Sequence, residues 1–181
     1  MKKKRVAIDV GHARMTGARG CGLEEHEVCV RIGAALATAL RELGMEADVI
    51  DFPGLTNAGD MAEAARVINA GGYDLSVSVH CDANANALAR GGHVIYKSAR
   101  GGRCAGLIAR RLCALMPGRA EQLVRRPGLY MLRATRPVAV LVECGFLTNL
   151  DDARVLGSEG GVERVAGAIA RGVKEYFEQE C

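Results

Sequence analysis

The chain has 181 residues, 49% of them apolar and 25% charged, with a formal net charge of +3. That is ordinary globular composition, long enough for one domain with a sizeable core and short for two. The charge is too small and too scattered for a nucleic-acid binder, and no basic run is interleaved with aromatics. No stretch approaches the roughly 18 uninterrupted apolar residues of a membrane span. Lys2-Lys3-Lys4-Arg5 reads as a solvated end, because only Val6-Ala7-Ile8 follows before Asp9 and a signal peptide needs a longer apolar core. The seven cysteines (Cys21, Cys29, Cys81, Cys104, Cys113, Cys144, Cys181) are odd in number and form no CxxC pair. They read as reduced thiols, neither a disulfide framework nor a cysteine-based structural zinc site.

In chain order, Val6 to Val10 is a strand running into Gly11-His12. A glycine-broken loop, His12 to Gly22, follows. From Glu24 the residues Val28, Ile32, Ala35, Leu36, Ala39, Leu40 and Leu43 recur at helical spacing, and Gly44 ends the helix. Glu25 falls on the buried stripe at the first turn, where the helix dipole favours a carboxylate. Glu46 to Asp51 is the second strand, closing a parallel β-α-β unit. Met61 to Ala70 is a helix stopped by Gly71-Gly72, and Leu75 to Val79 is a strand running into His80. Cys81 to Gly92 is a polar loop, Gly92 to Tyr96 a strand, and Cys104 to Met116 an amphipathic helix ended by Pro117-Gly118. Gly118 to Pro127 reads as loop and Leu129 to Arg133 as a short strand. Pro137 opens the apolar run Val138 to Val142, which reads as a strand covered on both faces and leads into Glu143. Thr148 to Asp152 caps a short helix through Leu156, and Val162, Val165, Ala166, Ile169, Val173, Tyr176 and Phe177 share one face of a last helix. The expected fold is a single α/β domain, a mostly parallel twisted sheet flanked by helices on both faces.

Three strand-like runs thus end in His12, His80 and Glu143, at the lip where open α/β sheets bind ligands. Zinc takes nitrogen and carboxylate donors, and a catalytic site uses three of them and keeps one position open. His12, Glu25 and His80 supply such a set, leaving Glu143 to move protons. Each has a plain reading: a capped loop histidine, or a helix N-terminal charge beside Glu24 and Glu27. Glu143 resists it, because an unpaired carboxylate beside a buried strand costs several kcal/mol. No other carboxylate sits at a comparable strand end. His26 and His93 are expected to be structural or exposed. Ser76 and Ser78 have no base at suitable spacing for a serine hydrolase. Strand alternation turns Cys81 and Cys144 away from the site, which makes a cysteine nucleophile the lesser alternative.

Four segments carry a resemblance: Val6 to His12, Gly22 to Glu25, Tyr73 to His80, and Val140 to Asn149, with Gly128 to Arg133 before the last strand. Together they resemble the zinc-dependent N-acetylmuramoyl-L-alanine amidases of the type-3 family, in the right order and over nearly the whole chain. The resemblance implies Zn2+ held by His12, Glu25 and His80, with Glu143 as the catalytic carboxylate. It implies a hydrolase that cuts the amide between the lactyl group of N-acetylmuramic acid and L-alanine in peptidoglycan, an endolysin-like cell-wall enzyme. Ala13-Arg14 stands where the family usually has two glycines after the first histidine. Cys81 to Gly92 is too short for the inhibitory helix that many relatives insert. The expectation is one catalytic domain over residues 1–181 without a separate wall-binding domain. It would be synthesised in the cytoplasm without a recognisable signal peptide and reach the wall after release or by another export route. Rival readings are a zinc peptidase or amidase on another substrate, and a non-catalytic wall-binding module. Arg14, Arg125, Arg126 and Arg133 read equally as pairing partners for stem-peptide carboxylates and as solvated surface charge.

Overall fold

The computed structural model describes residues 3–54 and 56–180; Lys2 and Cys181, named above, lie outside them. Strand β1 (Arg5–Val10) leads to a two-residue pair, β2 (Arg19–Gly20) and β3 (Leu23–Glu24), and then to helix α1 (Glu25–Glu42). Next come β4 (Glu46–Ile50), α2 (Asn57–Ala70), β5 (Leu75–Asp82), β6 (His93–Tyr96) and α3 (Ala99–Leu115). The chain closes with β7 (Leu123–Arg125), α4 (Tyr130–Ala134), β8 (Val138–Phe146), α5 (Leu150–Gly157) and α6 (Glu159–Gln179).

The main sheet has the order β4-β1-β5-β8-β6-β7. The first four strands are parallel, β6 runs antiparallel to β8, and β7 runs parallel to β6. Alternation sorts the side chains. Val6, Ile8 and Val10 of β1, Leu75, Val77 and Val79 of β5, and Val140, Val142 and Cys144 of β8 join the large core under α1, α3 and α6. Ala7, Ala139 and Leu141 turn to the other face, where the smaller helices α2 and α4 contribute Ala64, Ile68, Met131 and Leu132 to two smaller cores. By the same parity His80, Glu143 and His93 belong to this thinner face, and Cys81 and Cys144 to the thick one, as the alternation predicted.

Several boundaries differ from the sequence reading. Leu129 to Arg133 is not a strand: Tyr130–Ala134 forms a helix, and the Thr135 hydroxyl donates to the Met131 carbonyl at 2.6 Å to close it. A run of only four apolar residues, Leu129 to Leu132, does not reveal its period. The stretch read as loop from Gly118 contains β7, an edge strand with Val124 buried between exposed Leu123 and Arg125. The loop His12 to Gly22 contains the turn of the β2–β3 hairpin. Its two central residues, Cys21 (φ 49°) and Gly22 (φ 78°), take the left-handed conformation that a tight two-residue hairpin needs. Helices α2 and α3 begin earlier than their apolar periodicity, at caps on Thr56 and Ser98 whose side chains accept from the Gly59 and Gly101 amides. Both β5 and β8 run on past His80 and Glu143, so these residues lie just inside the strand ends.

Candidate metal centre and active site

The site is assembled where β1, β5 and β8 finish. Gly11 follows the last residue of β1 and stays against β5, its amide donating to the Val79 carbonyl at 2.9 Å. A β-carbon at Gly11 would lie 2.5 Å from His80 Cε1 and 2.6 Å from the Val79 carbonyl oxygen, so only glycine lets the two strands bring His12 and His80 together. His12 then bends back with φ +64°, and its ring packs edge-on against His80 with centroids 5.1 Å apart. Gly17, at φ +89°, passes over the pair; a β-carbon there would sit 2.7 Å from Glu25 Oε2.

Glu25 is carried in by the first turn of α1 and is 2% exposed. Its Oε2 lies 3.3 Å from His12 Nε2 and accepts the Ala18 amide at 2.6 Å. Its Oε1 lies 3.1 Å from His80 Nδ1 and accepts the Cys81 amide at 3.0 Å. Burial pushes this carboxyl up, but the His80 hydrogen bond and charge and the two backbone amides outweigh it and hold it below the usual value. Burial likewise works against a charged His80, and the bond to Glu25 with the charges of Glu143 and Glu25 overcomes it, raising His80 to about 9. Burial lowers His12. The ligating atoms of His12, Glu25 and His80 all lie within 4.8 Å of one another, a set that could hold a metal ion. The donors suit zinc: two imidazoles and a carboxylate whose other bonds are to fixed backbone amides.

Glu143 is the β8 register partner of His80 and stands beside this cluster without joining it. Its Oε2 is buried and makes no hydrogen bond. Burial pushes its carboxyl up to about 8, with Asp82 and Glu25 adding to the rise and His80 opposing it.

The structure therefore brings together His12, Glu25, His80 and Glu143. Arg14, Arg125, Arg126 and Arg133 are all exposed, with Arg133 lying over the Tyr130 ring and Arg126 near enough to act on Asp82. Sequence reasoning missed other participants. Asn57 Oδ1 accepts from the Ala13 amide at 3.0 Å and the Thr16 hydroxyl at 2.6 Å, which fixes the loop after His12. A cavity of about 150 Å³ runs beneath the cluster on the thin face, lined by Asp9, Asn57, Asp60, His80 and Tyr130 among others. Asp9 there is pushed up to about 6 by burial, against a hydrogen bond from Ser78. His26 is structural, its Nε2 3.1 Å from Asp51 Oδ1. His93, expected to be structural or exposed, is buried with its Nδ1 3.5 Å from Asp82 Oδ2, and Asp82 is a second carboxylate at the strand ends, contrary to the expectation that no other carboxylate sat at a comparable place.

Fold and cluster together define the class: an α/β sheet protein in which two imidazoles at strand ends and a carboxylate at a helix start could hold a metal ion, beside a second carboxylate with an unpaired buried oxygen. Over residues 6–175 the sequence matches the N-acetylmuramoyl-L-alanine amidase family model. The chain belongs to that family. It is 32% identical to the uncharacterised protein YqiI of Bacillus subtilis, over 97% of this chain and 86% of that protein. It is 29% identical to the N-acetylmuramoyl-L-alanine amidase LytC of the same organism, over 95% of this chain and 35% of LytC. The solved structure of the N-acetylmuramoyl-L-alanine amidase AmiC2 of Nostoc punctiforme superposes with a TM-score of 0.82 at 29% identity, covering 98% of each chain.

Proposed function

We propose that the chain is a zinc-dependent N-acetylmuramoyl-L-alanine amidase, hydrolysing the amide between the lactyl group of N-acetylmuramic acid and L-alanine in peptidoglycan. The observation that carries this reading is the meeting of His12, Glu25 and His80 beside Glu143, a half-buried carboxylate whose Oε2 is buried without a hydrogen-bond partner. Family membership and the names of LytC and AmiC2 support the substrate.

In this reading His12, Glu25 and His80 hold the zinc. The ion supplies Lewis acidity, which polarises an amide carbonyl and lowers the proton affinity of water. Glu143 moves the proton. A carboxyl raised to about 8 rests mainly protonated at neutral pH but lies close enough to it that the ionised form can take a proton from an attacking water and the acid form can hand one to a departing nitrogen. The cluster holds its own shape: both Glu25 oxygens are tied to backbone amides, and Gly11 and Gly17 leave the imidazoles no slack.

Digestion of purified walls with the metal-loaded protein, followed by mass spectrometry of the fragments, tests the reading. The expected products are peptides with a free L-alanine amine and glycan strands left intact. Cuts elsewhere, or none, overturn it. Chelation should abolish turnover and zinc should restore it. Glu143→Gln should keep its zinc and lose at least ~10²-fold in rate, since an amide shuttles no proton and general acid–base catalysis typically contributes ~10²–10⁴-fold. Loss of zinc in that variant would make Glu143 a ligand instead.

A further inference from the structure

The row of ionisable residues across the sheet does not stop at Glu143. On one side of Glu143 stands His80 of β5, and on the other, across the antiparallel pairing, stands His93 of β6. His93 is 2% exposed, and its Nδ1 lies 3.5 Å from Asp82 Oδ2. His93 Nδ1, Asp82 Oδ2 and Glu143 Oε2 are all buried, and none has a hydrogen-bond partner. Unpaired polar atoms are costly in a protein interior, and three from adjacent strands point to a polar group that completes them.

Two of the three atoms are carboxylate oxygens, so the group is a hydrogen-bond donor, best with positive charge. A second metal ion fits less well. Among the described residues only His12, Glu25 and His80 gather as a metal-type set. Arg119 and Arg126 also lie near enough to act on both Asp82 and His93, which weighs more heavily against a divalent ion than against a singly charged guest. His93 suits a cationic guest because burial, with those two arginines, keeps it neutral down to about pH 4. A neutral imidazole 3.5 Å from Asp82 adds no repulsion to a positive charge there.

We propose that Asp82, His93 and Glu143 form a seat for the ammonium group of the departing L-alanyl peptide, with Asp82 as the carboxylate that holds it and His93 as the residue that positions Asp82. The proposal rests on the amidase reading. Hydrolysis adds water across the C–N bond; the acyl carbon gains oxygen and leaves as a carboxylate, and the nitrogen leaves as an amine that carries a third proton at neutral pH. Glu143 gives that proton and is left ionised beside the cation, and Asp82 supplies the second negative charge.

The test uses the zinc-loaded protein and two probes: a stem peptide with a free L-alanine amine, and its N-acetylated twin. Calorimetry should show the free amine binding roughly tenfold tighter or more, the size expected of a charge-assisted contact. In Asp82→Asn that preference should fall to about threefold or less while zinc content stays at the parent level. His93→Gln should fall in between, and it carries the test should Asp82→Asn fail to fold. An undiminished preference in the folded variant, or no preference in the parent, overturns the seat. Cleavage of walls is scored separately. A parent that cuts walls but shows no amine preference sinks the seat and leaves the amidase reading; a parent that prefers the amine but cuts no walls sinks the amidase reading and the departing-group role with it, leaving only an amine-binding site.

Discussion

At Glu25 one carboxylate serves four partners, two imidazoles and two backbone amides; at Glu143 a carboxylate of the same chemistry has an oxygen that serves none. The two should therefore respond with opposite sign when neutralised or removed. Glu25→Ala leaves the Ala18 and Cys81 amides without acceptors, and an unsatisfied buried donor costs about 1–3 kcal/mol. Denaturant unfolding of the metal-free protein should show that loss. Glu143→Gln removes a group whose carboxyl titrates near 8 in the fold and at 4.5 when free. The folded parent keeps its proton through that window while the unfolded chain gives it up, so the parent loses stability as pH rises from 4.5 toward 8. The glutamine variant should gain on the parent across that same window. A parent and variant whose difference stays flat with pH would contradict the buried, unpaired state of Glu143.

Individual elements decide how the ligands arrive, and the β2–β3 hairpin is the one on which Glu25 depends. It ends at α1, and the residue before it, Ala18, holds Glu25 Oε2. Gly20 docks the hairpin against the turn after β8; a β-carbon there would lie 2.6 Å from the Leu147 carbonyl carbon and oxygen. Gly20→Ala should therefore destabilise the fold by about 1–3 kcal/mol, the usual cost of overpacking, and weaken metal uptake although no ligand is touched. Unchanged zinc affinity would mean that α1 alone places Glu25. The same scale explains what the sequence disclosed. Strands β1, β5 and β8 were legible because short valine-rich runs lead into His12, His80 and Glu143, and Glu25 because it sits on a helical stripe. The hairpin was not, since two-residue strands carry no period. Nor was His93, because a hydrophobic pattern does not reveal strand direction: had β6 run parallel to β8, His93 would start at the far end of the sheet. Its antiparallel course puts its first residue at the lip.

Across the whole molecule the cysteines behave as core residues. The six described are free, and Cys29, Cys81, Cys104, Cys113 and Cys144 are buried, with burial pushing the Cys113 thiol up to about 11. Thiols so placed are protonated and inert. Adding a reductant should leave the melting temperature where it was; a fall of many degrees would reveal a covalent link. No described helix is long and apolar enough to cross a membrane. Stability instead comes from a sheet insulated unequally: α1, α3 and α6 form a continuous apolar layer on one face, while α2 and α4 give the other only small clusters.

That inequality has a consequence for how the molecule breathes. Local opening is cheapest where few apolar contacts must be given up. The five residues of α4 bury only Met131 and Leu132, against a much longer list for α6. Amides of Met131 to Ala134 should exchange with deuterium through small, frequent openings, and those of β5 and β8 only when the whole fold melts. Uniform protection over both would contradict this picture. The cavity beneath His80 is walled in part by Tyr130 and Met131, so one of its walls belongs to this lightly packed helix. Access to the cleft from that side is then set by the fraying of one helical turn, independently of how firmly the strands hold their side chains.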